Sequence, residues 1–238
     1  MLKFFGISNG LSKSNHTSAY FEYKNNLVLI DCSMDACRLL YNFNIEKYDN
    51  IYVVVTHTHS DHVGGIGMFA AYLGWNKDKK LNIIIPTSLM VEQFNRYMLD
   101  IEGAHPDHFN IGTASDFNLD CIDKCILTSH TKLLDQKCFG WAFKIDNTCI
   151  VYTGDTNTLS PFIEYIDSIM SIYENIYLYT EISTHNSGAH LYVDDNLYTL
   201  VDLSEKGIHV FLMHIDDLNT ISYKIGGTKL RIAPIFYA

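Results

Sequence analysis

Apolar residues along this chain fall into short runs that are rich in β-branched and aromatic side chains. The clearest run is 51–55, Ile-Tyr-Val-Val-Val, which is directly followed by polar residues. Runs of about four to eight such residues between turn residues are typical of buried strands. The pattern predicts strands at 2–7, 18–23, 27–31, 51–55, 81–86, around 125, 143 and 151, and at 176–182, 209–214 and 230–236.

Longer segments between these strands have the spacing of helices that pack on a sheet. The pattern predicts helices at 35–43, 66–75, 88–99, from Pro161 onward and at 194–206. Ser88 and Asp194 are suitable N-caps, and Gly207 is a suitable stop for the last helix. The polar segment 101–120 is predicted to be a loop or lid. This order indicates mixed α and β structure, without repeats or linkers, and we expect one domain over 1–238.

Composition excludes several classes of protein. Charged residues make up 18% and apolar residues 47% of the 238 residues, as in globular proteins. No apolar run approaches the ~20 residues of a membrane helix, and no secretory signal is visible, so we expect a cytoplasmic protein with reduced cysteines. The net charge of −10, with no cluster of Lys and Arg, argues against a partner made of long nucleic acid.

The chemistry is concentrated after the strand at 51–55. His57, His59, Asp61 and His62 are four potential metal ligands within six residues. An extended backbone points residues 57 and 59 to the same side, so both imidazoles can reach one ion. Asp61 and His62 follow after the chain begins to turn, and they can face a second ion.

Three more candidate ligands also follow predicted strands. They are His130, Asp155 in Tyr-Thr-Gly-Asp-Thr, and His214. Five histidines and two aspartates can fill two metal sites that share one bridging carboxylate. Imidazole and carboxylate together suit zinc, and manganese, iron or cobalt are also compatible.

These motifs in this order, His-x-His-x-Asp-His, a lone His, Gly-Asp-Thr and a late His, resemble the metallo-β-lactamase fold superfamily. The resemblance spans nearly the whole chain and implies an α+β fold, a four-layer αββα sandwich. It also implies two metal ions, and the donor types make Zn²⁺ the expected ion, with Mn²⁺, Fe²⁺ or Co²⁺ as alternatives. His57, His59 and His130 would bind one ion, Asp61, His62 and His214 the other, and Asp155 would bridge them.

Two residues between Asp155 and His214 indicate the branch. Glu181 ends a predicted strand and His190 opens the next helix, as the acid and histidine do in ribonuclease Z-like phosphodiesterases. Cyclic phosphodiesterases of phosphonate breakdown and phage anti-Pycsar enzymes are similar at His190. The resemblance implies a phosphodiesterase that uses a metal-bridging hydroxide. The predicted catalytic residues are His190 as general acid, Glu181 as the group that orients it, and Asp61.

The chain departs from tRNA-processing ribonuclease Z, which carries a long arm after the third histidine ligand. Here two predicted strands occupy the segment between His130 and Asp155. We therefore expect a small phosphodiester as substrate, with a cyclic nucleotide or cyclic phosphate as the leading candidate. We also expect no membrane partner, and we expect a homodimer. The alternatives are an arm-less nuclease and a carboxylic-ester, thioester or lactone hydrolase. His105, His108 and His185 receive no assigned role, although the first two could belong to a lid.

Overall fold

The structure is a computed structural model that describes residues 1–236, so the last two residues of the predicted domain, 237–238, lie outside it. The chain forms two compact units, each built around one six-stranded sheet. The N-terminal unit comprises Leu2–Gly6, Lys13–Leu119 and 235–236, and the C-terminal unit comprises Met1, Ile7–Ser12 and Asp120–Pro234. That 1–238 forms a single domain stays a prediction.

The sheet of the N-terminal unit has its strands in chain order. The first three strands are antiparallel, and the third to sixth are parallel to one another. The strands are β1 (Lys3–Gly6), β2 (Ser18–Tyr23), β3 (Asn26–Ile30), β4 (Asn50–Val54), β5 (Leu81–Ile84) and β6 (Phe109–Gly112). The helices are α1 (Met34–Leu40), α2 (Ser60–Val63), α3 (Ile66–Lys77) and α4 (Ser88–Arg96).

The sheet of the C-terminal unit repeats this plan of three antiparallel strands beside a parallel set. Its strands are β7 (Ile122–Thr128), β8 (Cys138–Ile145), β9 (Thr148–Tyr152), β10 (Asn175–Glu181), β11 (His209–Met213) and β12 (Arg231–Ile232). Its helices are α5 (Ser160–Ile169), α6 (Val193–Glu205) and α7 (Leu218–Lys224). The predicted mixture of α and β elements is confirmed.

The parallel strands form the core because their residues are apolar on both faces. In β3, the four residues from Leu27 to Ile30 are all fully buried, and in β4 Val53 and Val54 are fully buried. Such unbroken apolar runs are typical of strands covered on both sides. Each strand then ends where the sequence turns polar, so the polar side chains lie at the carboxyl edge of the sheet.

Several boundaries differ from the prediction. The segment 101–120 contains β6 and two short 3-10 turns, because Phe109 and Gly112 are buried although polar residues surround them. Thr87, one residue before Ser88, caps α4, and its side chain accepts a hydrogen bond from the Met90 amide. The short helices α2 and α7 were not predicted. Within residues 1–236 no helix is long and apolar enough to cross a membrane.

The α6 boundary differs as well. The helix begins at Val193, so Asp194 lies in its first turn instead of capping it. A carboxylate there still favours the helix, since its negative charge faces the positive end of the helix dipole. The predicted strand 230–236 contracts to the two residues of β12, which pair with Phe211 and Leu212 of β11.

The cysteines provide a test of the packing. All six are free thiols. Burial raises the pKa of Cys125 and of Cys138 to about 12 and that of Cys149 to about 11. Because the thiolate is the reactive species, the native protein at pH 8 should react slowly with Ellman's reagent, and denaturant should release all six thiols. Rapid reaction of a full equivalent in native buffer would contradict this packing.

Candidate metal centre

The N-terminal unit brings two imidazoles together after β4. His57 is fully buried, and its Nε2 lies 3.1 Å from Nδ1 of His59. Thr58 separates the two residues, so the extended chain turns both rings to one side, as the alternation predicts. The His57 ring also lies against that of His62, with centroids 4.2 Å apart. Three histidine rings of the motif thus converge within this unit.

A buried aspartate that sequence reasoning missed organises this cluster. Asp31 directly follows β3 and is fully buried. Its Oδ1 accepts a hydrogen bond from the Thr56 amide at 2.8 Å, and its Oδ2 accepts from the Thr56 hydroxyl at 2.8 Å. His62 Nδ1 donates to the same Oδ2 at 2.8 Å. An acid at the end of an apolar strand, the signal used for the other ligands, could have identified Asp31.

These hydrogen bonds determine which ring nitrogens carry protons. Because His62 donates from Nδ1 to the Asp31 carboxylate, its neutral ring keeps the lone pair on Nε2. The Thr56 hydroxyl donates to Asp31, so it accepts from His57 Nδ1 at 3.0 Å, and the lone pair of His57 lies on Nε2. Partners of this kind fix the tautomer of metal-binding histidines. Asp61 Oδ2 lies 3.5 Å from His62 Nε2, which places a carboxylate beside that lone pair.

The C-terminal unit gathers a second cluster around Asp155. Asp155 follows β9, and its Oδ2 lies 3.7 Å from Nε2 of His130 and 3.4 Å from Nε2 of His214. His130 follows β7 and His214 follows β11. All three residues are buried. The structure therefore brings the three predicted ligands of this unit together around one carboxylate oxygen.

The backbone at His214 is unusual, with a φ of 52°. Residues other than glycine rarely adopt this left-handed conformation, which costs about 1–3 kcal/mol and often occurs at functional sites. Asp31 has the same feature, with a φ of 59°. In both cases the turn directly follows a buried strand and directs a polar side chain toward the cluster of its own unit.

His190 and Glu181 form a hydrogen-bonded pair beside this cluster. His190 Nδ1 donates to Glu181 Oε2 at 2.7 Å, and the same nitrogen lies 4.0 Å from Asp155 Oδ2. Burial raises the pKa of Glu181 and the hydrogen bond from His190 opposes that rise. Glu181 is fully buried, and the Thr156 amide donates to its Oε1 in a short hydrogen bond. The pair that indicated the branch of the superfamily is thus assembled and held in place.

The remaining histidines of interest lie in other surroundings. His105 and His108 pack near Trp75, with ring centroids 6.1 Å and 4.7 Å from it. His185 has a side chain that is 82% exposed, with Nε2 3.9 Å from Asp216. None of these residues belongs to the potential metal-binding groups of the described chain.

The donor atoms fit divalent metal ions. His130 Nδ1 donates to the carbonyl of Ala189 at 2.7 Å, so the neutral ring directs the lone pair of Nε2 toward Asp155 Oδ2. At 3.7 Å these two electron-rich atoms are too far apart for a hydrogen bond, whereas a cation between them would attract both. Imidazole nitrogen and carboxylate oxygen are ligands that zinc and neighbouring transition metals accept.

Comparison with protein families identifies relatives over almost the whole chain. The family described as "Anti-Pycsar protein Apyc1" matches residues 1–228. A protein of this description from Bacillus phage vB_BsuM-Goe3 is 26% identical over 261 aligned positions, which cover 98% of this chain and 95% of the phage protein. Another from Saccharibacillus brassicae is 30% identical over 90 residues, 37% of each chain.

Solved structures share the fold. The metallo-β-lactamase fold protein YhfI from Bacillus subtilis aligns with a TM-score of 0.71 and 19% identity, covering 98% of this chain and 96% of its own. A diphosphatase of the PhnP family gives 0.68 and 15%, covering 98% and 94%. The short form of human tRNase Z gives 0.67 and 13%, covering 99% and 96%. The predicted metallo-β-lactamase fold is confirmed.

Asp31 provides a test of the site. Asp31→Asn removes the charge that holds the proton on His62 Nδ1, so its Nε2 should become a poorer ligand. We expect metal affinity to fall by ~10–100-fold, measured as metal retained after dialysis against metal buffers. Asp49→Asn, a change at an exposed aspartate of the same unit, is the matched control. Unchanged metal retention in a folded Asp31→Asn protein, checked by thermal unfolding, would contradict the assignment.

Proposed function

This chain belongs to the Anti-Pycsar protein Apyc1 family, and we propose that it hydrolyses a small phosphodiester, a cyclic nucleotide or cyclic phosphate. It is an enzyme, a metal-dependent hydrolase with the metallo-β-lactamase fold. The substrate and the use of two metal ions are the proposal. The observation that carries it is the hydrogen bond between Glu181 and His190 beside Asp155.

The proposed metal ligands are the seven residues predicted from the sequence. His57, His59 and His130 are assigned to one ion, and Asp61, His62 and His214 to the other, with Asp155 shared. Support comes from the spacing of donor atoms within each unit and from the tautomers that Asp31, Thr56 and Ala189 impose. Zinc is the proposed ion, and manganese, iron or cobalt would suit the same donors.

When bound, two such ions would polarise the phosphoryl oxygens and activate the attacking water. The protein's own contribution is to hold the substrate and to move a proton. Asp155 Oδ2 lies 4.0 Å from His190 Nδ1, so the imidazole lies at the edge of the reacting centre. Its Nδ1 is engaged with Glu181, so the proton for the departing alkoxide would come from Nε2.

Glu181 would act by orienting His190 and stabilising its protonated form. Each carboxylate oxygen accepts a different hydrogen bond. Oε2 accepts one from His190 Nδ1, and Oε1 accepts one from the Thr156 amide. The Thr156 hydroxyl in turn forms a short hydrogen bond with that of Thr128 at the end of β7. A general acid held by such a network loses little entropy when the transition state forms.

Ester, thioester and lactone hydrolysis is the main alternative on this fold. That chemistry does not require an acid at the position of His190, so the hydrogen bond of His190 to the buried Glu181 favours the phosphodiester. The absence of a basic cluster from the sequence and the net charge of −10 favour a small substrate over a long nucleic acid. A cytoplasmic location and a homodimer stay predictions.

A substrate panel tests the proposed reaction. The protein, loaded separately with zinc and with manganese, should hydrolyse cyclic mononucleotides and bis-p-nitrophenyl phosphate, because both present a phosphodiester. A lactone serves as the competing substrate class. Hydrolysis of the lactone alone would refute the proposal, and removal of metal by a chelator should abolish turnover of the phosphodiesters.

The role of His190 has its own test. His190→Ala should reduce turnover of substrates with poor leaving groups, such as cyclic nucleotides, by ~10²–10⁴-fold, because the alkoxide then leaves unprotonated. Bis-p-nitrophenyl phosphate, with a good leaving group, should be much less affected, and metal content should not change.

His185→Ala is the matched control for this experiment, since His185 lies on the same segment but is exposed. Equal losses for His190→Ala with good and poor leaving groups would show that His190 does not act as the acid.

A further inference from the structure

The segment that carries His190 is a loop, residues 184–190, between β10 and α6 of the C-terminal unit. Its base is closed by the backbone, because the Ser183 amide donates to the Leu191 carbonyl at 2.8 Å. Residues 185–188 are exposed. An exposed segment gains little from apolar packing, so its polar contacts determine where it lies. The position of His190 therefore depends on the hydrogen bonds that hold this loop.

The end of the loop is fixed by two side chains from other segments. Asn157 Nδ2 donates to the Gly188 carbonyl at 2.8 Å, and His130 Nδ1 donates to the Ala189 carbonyl at 2.7 Å. Both bonds hold the backbone immediately before His190. They do not reach the start of the loop, which has an anchor of its own.

That anchor is Asp216, whose side chain is only 8% exposed. Both of its carboxylate oxygens accept from the Thr184 amide, at 3.0 and 2.9 Å, and Oδ2 also accepts from the Ser183 hydroxyl at 2.7 Å. The Asp217 amide donates to Oδ1 at 2.8 Å. One carboxylate therefore binds the first residue of the loop and the residue directly before it.

A further hydrogen bond extends this anchor into the loop. The His185 amide donates to the Ser183 hydroxyl oxygen at 3.0 Å, and that hydroxyl donates to Asp216. Hydrogen bonds in such a chain polarise and strengthen one another. The His185 imidazole takes no part, since its Nε2 lies 3.9 Å from Asp216 Oδ2, too far for a hydrogen bond.

Asp216 also belongs to the turn that carries His214. This turn follows β11, which is parallel to β10, and Met213 at its end pairs with Glu181. One side chain therefore joins the turn of a proposed metal ligand to the loop of the proposed acid. This link matters because a displacement of about 1 Å can reduce turnover by ~10²-fold.

We propose that Asp216 is a positioning residue for His190, which acts by fixing the start of the 184–190 loop to the turn after His214. The inference rests on the proposed function, since it assumes that His190 protonates the leaving group. It adds a residue whose effect on turnover passes only through the backbone of the loop.

Asp216→Asn tests this role, because the amide keeps one acceptor oxygen and turns an NH₂ group toward donors that the carboxylate accepted. For cyclic nucleotides, kcat should fall by ~10–100-fold and KM should stay within about twofold, since the acid acts in the transition state. Turnover of bis-p-nitrophenyl phosphate should change by less than about threefold, because its leaving group needs little protonation. Metal content should not change.

The double variant Asp216→Asn/His190→Ala separates positioning from a general loss of structure. If Asp216 acts through His190, the double variant should hydrolyse cyclic nucleotides no more slowly than His190→Ala alone. Two independent defects would instead multiply.

Ser183→Ala is a milder variant, because it removes one donor to Asp216 and leaves the carboxylate in place. Its kcat for cyclic nucleotides should fall by ~3–10-fold, the effect of losing one hydrogen bond. Asp167→Asn is the matched control for Asp216→Asn, since it removes the same charge from an exposed position of α5 in the same unit. We expect no change in this control.

Amide hydrogen exchange tests the anchor without turnover. Peptides that cover 184–190 should exchange ~10-fold faster in Asp216→Asn than in the wild-type protein, whereas peptides from β10 and β11 should not change. Unchanged exchange of the loop in a folded Asp216→Asn protein would overturn the proposed anchor.

The outcomes separate the two proposals. If the wild-type protein hydrolyses cyclic nucleotides but Asp216→Asn slows good and poor leaving groups equally, the positioning role is refuted. Multiplied losses in the double variant would also refute it. If the wild-type protein hydrolyses no phosphodiester, the proposed function fails, and the role of Asp216 in the reaction fails with it.

Discussion

Imidazoles and carboxylates buried at the ends of apolar strands are the constraint that organises this protein. Burying such a group costs several kcal/mol unless a partner compensates it. In the N-terminal unit, Asp31 is compensated by Thr56 and His62, which surround its carboxylate. In the C-terminal unit, Glu181 is held by Thr156 and His190. These hydrogen bonds also fix the proton on one ring nitrogen, so the other nitrogen is presented for chemistry.

The two sheets present polar side chains in the same way, at the ends of their parallel strands. In each unit, three antiparallel strands adjoin a parallel set, and the carboxyl ends of the parallel strands meet at one edge. Apolar residues pack the strands, and the first residues beyond them are free to be polar. Asp31 and His214 even adopt left-handed backbone to reach their partners. Strain of this kind persists only where the surrounding core is rigid enough to enforce it.

Loop segments of the C-terminal unit hold His190 beside Asp155. Asn157 Nδ2 donates to the carbonyl of Gly188, and His130 Nδ1 donates to that of Ala189. His190 directly follows these two residues, and its Nδ1 lies 4.0 Å from Asp155 Oδ2. The segment 131–137 is short, so it leaves no room for a long arm like that of tRNA-processing ribonuclease Z.

The sequence by itself determined the strands, the strand-end positions of the seven proposed ligands and the family resemblance, because apolar runs and short motifs are local signals. It did not reveal β6, whose polar neighbours hide Phe109, or the role of Asp31, which lies 31 residues from His62 along the chain. Hydrogen bonds such as those of Asp31 with His62 and of Glu181 with Thr156 join distant segments. Only the tertiary structure decided them, because they depend on which strands become neighbours in the sheet.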